Sequence, residues 1–404
     1  MNYYVLYLLS FAFFTGCLYG KKHTRQVAPL EAQPETTANP EMDTELHLGD
    51  VNTDTDSSKV IAIEDSLVGH IKPVITKRGT LEVFYSTPTG HIYHRIKSRF
   101  KDDGRSEWSE PTKIDAHSRS ELSVLEAPDG RLFLYYTDIL HYPGYTWQAN
   151  PKDPESWVRP QSLQGTATKV HAINSPSGET HLFRTTSSGK IFVHTQPTFK
   201  EPGYWSEPQQ LKGRASLISA AYTPDNRLGI FYIGVGELFW VPTWIYNNSL
   251  QPSSFAGLYF QTRNKKTNKE IWSGEQQIGK MLRYVTALNE QNHVTLYTIG
   301  SSFRIWVYRY DEKKKIHKPY NTGYYAISMV PLRDQKKKQT HLLRLSFLGE
   351  MWFNDHRLGG KASSLHAVID KNNMIHVFYI GMVTKKLYYF SFCAPDKGPE
   401  YLKN

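Results

Sequence analysis

"GRSEWSEPTKID" (Gly104–Asp115) and "GYWSEPQQLKG" (Gly203–Gly213) share the tetrapeptide Trp-Ser-Glu-Pro, and the segments around it repeat as well. Alignment on the tetrapeptide brings in "SWVRPQSL" (Ser156–Leu163) and "IWSGEQQIG" (Ile271–Gly279), so that Trp108, Trp157, Trp205 and Trp272 fall 49, 48 and 67 residues apart. Self-similarity at such a period is the mark of a repeat architecture.

Upstream of the tryptophans a short apolar strand, a turn and an aromatic strand recur seven times. The copies are "HIKPVITKRGTLEVFYST" (70–87), "ELSVLEAPDGRLFLYYTD" (121–138), "KVHAINSPSGETHLFRTT" (169–186), "LISAAYTPDNRLGIFYIG" (217–234), "YVTALNEQNHVTLYTIG" (284–300), "AISMVPLRDQKKKQTHLLRL" (326–345) and "LHAVIDKNNMIHVFYIG" (365–381). Their turns hold Asp, Asn, Ser or Gly, which tolerate positive φ. Most copies lead into a third, aromatic strand, as in "GHIYHRI" (Gly90–Ile96), "GKIFVHT" (Gly189–Thr195), "FRIWVYRY" (Phe303–Tyr310), "GEMWFND" (Gly349–Asp355) and "KKLYYFSF" (Lys385–Phe392). The tryptophan element falls where a fourth strand belongs. The pattern predicts an all-β chain, a seven-bladed β-propeller of four-stranded antiparallel blades over residues 58–395. The last copy ends without a tryptophan strand, and a spare stretch, "SKVIAIED" (Ser58–Asp65), precedes the first. That stretch is expected to complete the last blade and leave no open edge. The fourth copy carries an insertion around Phe239–Phe260, expected as a hairpin or long loop.

The N-terminus reads as a targeting segment. Residues 3–16 are almost continuously apolar, too short to span a bilayer and suited to a signal peptide over residues 1–20. In one reading Phe14-Thr15-Gly16-Cys17 is a loose lipobox and Cys17 is lipidated; in the other, cleavage releases the chain. Both make the mature protein extracytoplasmic, secreted or lipid-anchored at the cell surface. Residues 21–57 are rich in Pro, Thr and acids and read as a disordered acidic tether, and 396–404 as a C-terminal tail. The chain is +10 overall, and residues 21–59 are net −4, so the basic character belongs to the repeats. With only Cys17 and Cys393, a disulfide framework and a thiolate zinc finger are excluded.

The blade pattern resembles the sialidase-like and fucose-lectin-like propellers, including the tectonin type, over 58–395. The resemblance implies a glycan-related function. The sialidase Asp-box Ser-x-Asp-x-Gly-x-Thr-Trp and the Phe-Arg-Ile-Pro motif are absent; the nearest match to the latter is "FRIW" at Phe303–Trp306. An arginine triad would have to come from scattered positions such as Arg95, Arg184 and Arg304. A glycosidase needs two converging carboxyls, with Glu121, Asp138, Glu237 and Asp370 as candidates. His181, His341 and His376 match one another on second strands, and His171 and His366 on first strands. They are expected to fill equivalent structural slots; no metal and no cofactor is expected.

The ligand-binding candidates are therefore Arg184 and Arg344, which share a repeat position, Arg304, and Trp240 and Trp244 at the start of the insertion. Lysines cluster at Lys265 and Lys266, at Lys313, Lys314 and Lys315, and at Lys336, Lys337 and Lys338, a basic patch suited to anionic glycans or acidic headgroups. Asn247 begins one glycosylation sequon. A monomeric binding module for anionic or fucosylated glycans, or for a cell-surface protein, is the first reading, with a diverged glycoside hydrolase and a protein–protein interaction platform as rivals. Nucleic acid is disfavoured by the export signal, and membrane contact is expected only through a lipid anchor.

Overall fold

The computed structural model describes residues 60–97, 108–223, 226–234, 258–264, 271–273, 276–279, 282–290, 293–311, 316–334 and 336–395. The leader and tether, Cys17, Glu237, Trp240, Trp244, Asn247, Lys265, Lys266, Lys313–Lys315 and the tail from 396 lie outside the described residues. Among the described residues every regular element is a β-strand and every pairing is antiparallel.

Strand β1 (Ile61–Glu64) precedes the first repeat, which forms β2 (His70–Ile75), β3 (Leu81–Ser86), β4 (His91–Ile96) and β5 (Thr112–His117). The second forms β6 (Ser123–Glu126), β7 (Leu132–Thr137), β8 (Pro143–Trp147) and β9 (Gln161–Ser162). Next come β10 (Lys169–Asn174), β11 (Thr180–Thr185), β12 (Lys190–Gln196) and β13 (Gln209–Tyr222). β13 serves two repeats, pairing β12 with its first half and β14 (Leu228–Gly234) with its second. β15 (Leu258–Asn264) pairs β14 and is flanked by the short β16 (Ile271–Trp272) and β17 (Gln276–Gly279). The fifth repeat is β18 (Leu282–Glu290), β19 (His293–Gly300), β20 (Arg304–Asp311) and β21 (Tyr320–Tyr325). The sixth is β22 (Ser328–Asp334), β23 (Gln339–Leu345), β24 (Glu350–Phe353) and the start of β25 (His356–Ile369). The end of β25 opens the seventh, with β26 (Met374–Gly381) and β27 (Leu387–Cys393), and β1 pairs antiparallel with β27.

Two details differ from the sequence reading. The tetrapeptide is the corner before the outer strand, not the strand itself. Trp108 and Trp157 make only isolated bridges, to Lys97 and Gln148, and β5 starts after Pro111, whose missing N–H cannot enter a ladder. In the fourth repeat the stretch read as an insertion through Phe260 ends earlier, because Leu258–Phe260 already belong to β15.

The second strands explain the packing. β3, β7, β11 and β14 are buried at every position, so both of their faces meet protein. Tyr85, Phe133, Tyr135, Phe183, Phe231 and Tyr232 are among the largest fully buried side chains, each gaining roughly 2 kcal/mol from burial. Apolar clusters join successive repeats, and one joins Ile63, Val68, Ile71 and Tyr85 to Phe378, Ile380 and Tyr389 of the last. The first strands pack in sequence, β2 on β6, β6 on β10, β10 on β13, β13 on β18, β18 on β22 and β22 on β25, and β25 packs on β2.

Candidate functional site

Antiparallel order sends the second-to-third-strand turns and the links between repeats to one end of the strands, and the other turns to the opposite end. Six hydrogen bonds fasten this first end together. Gly90, His141, Gly189, Phe303, Gly349 and Lys385 occupy the same turn position, all with φ between 57° and 92°. Their carbonyls accept the N–H of Ser118, Ala167, Ala215, Ala326, Ala362 and Val68 in the adjoining link, at 2.6–2.9 Å. At Gly90 and Gly349 a Cβ would sit 2.9 Å from the Ser118 and Ala362 carbonyl oxygens.

Glycine suits this left-handed conformation, and a β-carbon there costs about 1–2 kcal/mol. Phe303, at φ 62°, is the bulkiest exception. Arg283 lies over its ring at 4.8 Å, and Phe347 approaches it edge-on at 5.8 Å. Next to it the exposed Arg304 donates from Nε to the Tyr325 hydroxyl at 3.2 Å and covers that ring. Of the eleven large apolar side chains exposed among the described residues, ten lie on this end: Leu67, three in the turn 139–142, and Tyr325, Ile327, Phe347, Leu348, Met382 and Val383 on repeats five to seven; only Tyr204 lies on the other. The exposed apolar side chains thus gather at one end of the strands, where Phe303, Arg304 and Tyr325 also lie.

The structure separates the arginines read from sequence. Arg304 belongs to this surface. Arg184 and Arg344 are buried, 3% and 7% exposed, and hold the links in place. Arg184 Nη1 donates to the Thr166 carbonyl at 2.6 Å, Nε donates to His194 Nε2 at 3.1 Å, and the guanidinium covers Phe192. Arg344 Nη1 donates to the Tyr325 carbonyl at 3.2 Å, with Tyr324 and Trp352 each 4.7 Å from the guanidinium. Their shared repeat position reflects a shared structural task, and Arg344 thereby fixes the residue on which Arg304 stacks. Arg95 is tied to Glu64 on β1 at 3.3 Å. Lys336, Lys337 and Lys338 are exposed but sit at the opposite end, in a turn whose backbone Asp334 caps. The described carboxyl candidates are divided between the two ends: Asp370 is in a turn at that opposite end beside His376, whereas Asp138 and Glu121 are at the first end.

A second feature was not legible as a set. Strand registers place Lys72, Ser123, His171, Ser219, Thr286, Val330 and His366 at one equivalent position of the seven first strands. Two residues earlier, nearer the first end, the layer contains His70, Glu121, Lys169 and Tyr284. Two residues later it is wholly apolar, from Val74, Leu125 and Ile173 to Leu332 and Val368. The polar groups influence one another between strands. Burial lowers the Lys72 ammonium, with Glu121 opposing. Burial, reinforced by Lys72, brings His171 to about 4; burial with Lys72 and His70 brings His366 to about 3. Burial raises the Tyr284 phenol, and Glu121 adds to this. Among the described residues no group of three or more His, Cys, Asp or Glu is placed to hold a metal ion.

No protein-family model and no curated protein matches the chain. Solved structures do. The BP39L lectin from Burkholderia pseudomallei matches at 12% identity, covering 83% of this chain and 97% of that one, with a TM-score of 0.64. BBS1N, solved in complex with ARL6DN, matches at 9% identity over 85% and 98%, with a TM-score of 0.55. An ulvan lyase of polysaccharide lyase family PL25, bound to -[GlcA(1-4)Rha3S]-, matches at 11% over 84% and 97%, with a TM-score of 0.51. The fold is thus an all-β, propeller-like one of the lectin-resembling kind. At these identities the likeness concerns the fold.

Proposed function

We propose that this chain is an exported, seven-bladed β-propeller, closed by β1 on the last blade, that binds carbohydrate on the end carrying Phe303. The circuit of first-strand packing and the β1–β27 pairing support the closed ring, and the apolar run over residues 3–16 supports export. The observation that carries the function is Phe303: a backbone conformation given to glycine at 90, 189 and 349 is here occupied by an aromatic residue among Arg283, Arg304, Tyr325 and Phe347. Strain of this sort concentrates at working sites. Aromatic faces stack on the C–H face of a sugar ring, and guanidiniums donate to its hydroxyls or acidic groups. A lectin and a polysaccharide lyase among the structural neighbours agree with this reading.

A glycan array probed with the full chain, wild type against Arg304→Ala and Phe347→Ala, tests it. Binding lost in both variants supports the reading, and silence of the wild type ends it. A protein partner is the second reading, favoured by the exposed aliphatic Leu348 and Val383, which offer no ring for stacking; the BBS1N–ARL6DN complex shows a neighbour of this fold with a protein bound. That reading expects a silent array and a protein contact sensitive to Leu348→Asp.

A further inference from the structure

We propose that Lys72 and His366, side by side on adjoining first strands, form a binding site for an oxyanion, the carboxylate or sulfate of an acidic sugar. The sugar rests on the carbohydrate reading above; the oxyanion rests on the following geometry alone.

At the shared first-strand position, three successive repeats make the same bond. Ser123 Oγ accepts the N–H of Ala172 at 3.1 Å, His171 Nε2 that of Ala220 at 3.3 Å, and Ser219 Oγ that of Ala287 at 2.9 Å. Each bond needs an acceptor on one strand and a backbone donor on the next. The donor is missing where β25 meets β2 and the acceptor where β2 meets β6; by the same register Thr286 faces Pro331 on β22, and Val330 offers no acceptor to β25. His366 faces a strand whose equivalent residue is Pro73, which has no N–H. Lys72, the next in order, has three donors and no lone pair, so it cannot accept the N–H of Val124. Among the described residues no hydrogen bond or ion pair is made by the side chain of Lys72, His366 or His70, although each is half-buried.

The Lys72 ammonium and the ring N–H of His366 are donors held partly out of water without an acceptor, which is costly and calls for one. Lys72 and Lys169 contribute positive charge to this region, and among the described residues Glu121 is the carboxylate that acts on it; Glu121 is exposed, where water screens it. Tyr284 on β18 commits its hydroxyl to the Met329 carbonyl at 3.4 Å. The apolar layer below, with Val74 and Val368 nearest, keeps the local dielectric low and strengthens an ammonium–anion contact. An acceptor-only, negatively charged group complements this set, and it would enter from the end that carries Phe303.

The test uses the full chain at about pH 7, titrated by calorimetry with galacturonate, with inorganic sulfate and with galactose, while the ring signals of His366 are followed by NMR. Galacturonate is expected to bind and galactose not to. Saturating galacturonate, and not galactose, is expected to shift the ring signals of His366, because an anion beside the imidazole changes its electronic environment. Lys72→Met is expected to weaken binding at least tenfold and Lys72→Arg to restore most of it. Pro73→Ala, which keeps Lys72 but gives His366 a backbone donor, is expected to weaken binding three- to tenfold, and melting curves report whether each variant folds. Unchanged affinity in both Lys72→Met and Pro73→Ala, or His366 ring signals indifferent to galacturonate, overturns the site. Sulfate binding without galacturonate binding overturns the acidic sugar. Because Arg304 and Phe347 are remote in sequence and bind through other groups, loss of array binding in their variants with intact galacturonate affinity separates this site from that surface.

Discussion

Trp108 meets Tyr389 edge-on, with ring centroids 5.3 Å apart and planes at 77°, and meets Phe378 in the same manner at 5.7 Å and 75°. The first repeat thereby grips the last. The other repeat-position tryptophans do the same to the preceding repeat: Trp157 on Phe84 at 87°, Trp205 on Tyr135 at 86° and Trp272 on Phe183 at 83°. Edge-to-face pairs contribute beyond the area they bury. Trp108→Ala and Trp205→Ala are each expected to lower the free energy of unfolding by about 2–4 kcal/mol, read as a shift of the urea midpoint. The comparison tests ring closure. Were the first and last repeats unattached, Trp108→Ala would cost far less than Trp205→Ala.

The turn position with positive φ gives a pair of opposite outcomes. Gly90→Ala places a β-carbon 2.9 Å from the Ser118 oxygen in a left-handed backbone. The bond from Ser118 must then give way, at an expected cost of about 2 kcal/mol or more. Lys385 occupies the equivalent position in the last repeat at φ 57° with an exposed side chain, so Lys385→Gly is expected to stabilise by about 0.5–1 kcal/mol. Thermal melts of the two variants should move in opposite directions.

The tryptophan spacing and the seven copies were legible because inter-repeat packing imposes the same residue types at the same offsets, and the spare stretch before the first copy was legible as a strand, observed at Ile61–Glu64. The site was legible only in part. Arg184 and Arg344 stood out for the same reason as the tryptophans, and repetition marked a structural task instead of a ligand. Arg304 was singled out as a binding candidate, but its partner Tyr325 was not, since a strand-end tyrosine in a chain with 26 of them carries no signal. The third-strand alignment did hold one clue: Phe303 and Lys385 stand in the column where Gly90, Gly189 and Gly349 begin their strands. The unpaired state of His366 depends on Pro73 falling opposite it, and that of Lys72 on facing the N–H of Val124, which only strand register reveals.

Acid should weaken the fold through buried histidines. Burial and the Arg184 guanidinium bring His194 to about 4, and burial also brings His341 to about 4. His376 is lowered as well, by burial and Lys97. All three are nearly inaccessible to solvent. A histidine whose folded pKa lies below its unfolded value of roughly 6.5 favours the neutral form in the fold. Its contribution is complete above about pH 6.5 and is lost as pH falls toward 4, at up to about 1.4 kcal/mol per pH unit for each group. Glu64, held low by the Tyr85 hydroxyl, the Ser66 N–H and Arg95 against the opposing effect of burial, acts in the same direction in a lower window, below about pH 4.3. Urea midpoints measured from pH 8 to pH 4 should stay level to about 6.5 and then decline. A midpoint independent of pH across 6.5–4.5 would contradict the burial of these rings.

Phe303 should trade stability for binding. Phe303→Gly relieves the left-handed strain, worth about 1 kcal/mol, and removes the ring that Arg283 covers and Phe347 abuts. Because that ring is only half-buried, the lost packing is smaller than a core truncation, and the variant is expected to melt no lower than wild type. Its carbohydrate binding is expected to fall at least tenfold, as a stacking surface is lost and Arg283 and Phe347 are freed to move. Neutralising Lys336, Lys337 and Lys338 together changes the opposite end, so it should alter salt dependence weakly and leave the array profile intact. If the lysine variant lost binding while Phe303→Gly retained it, the working surface would be the other end of the strands.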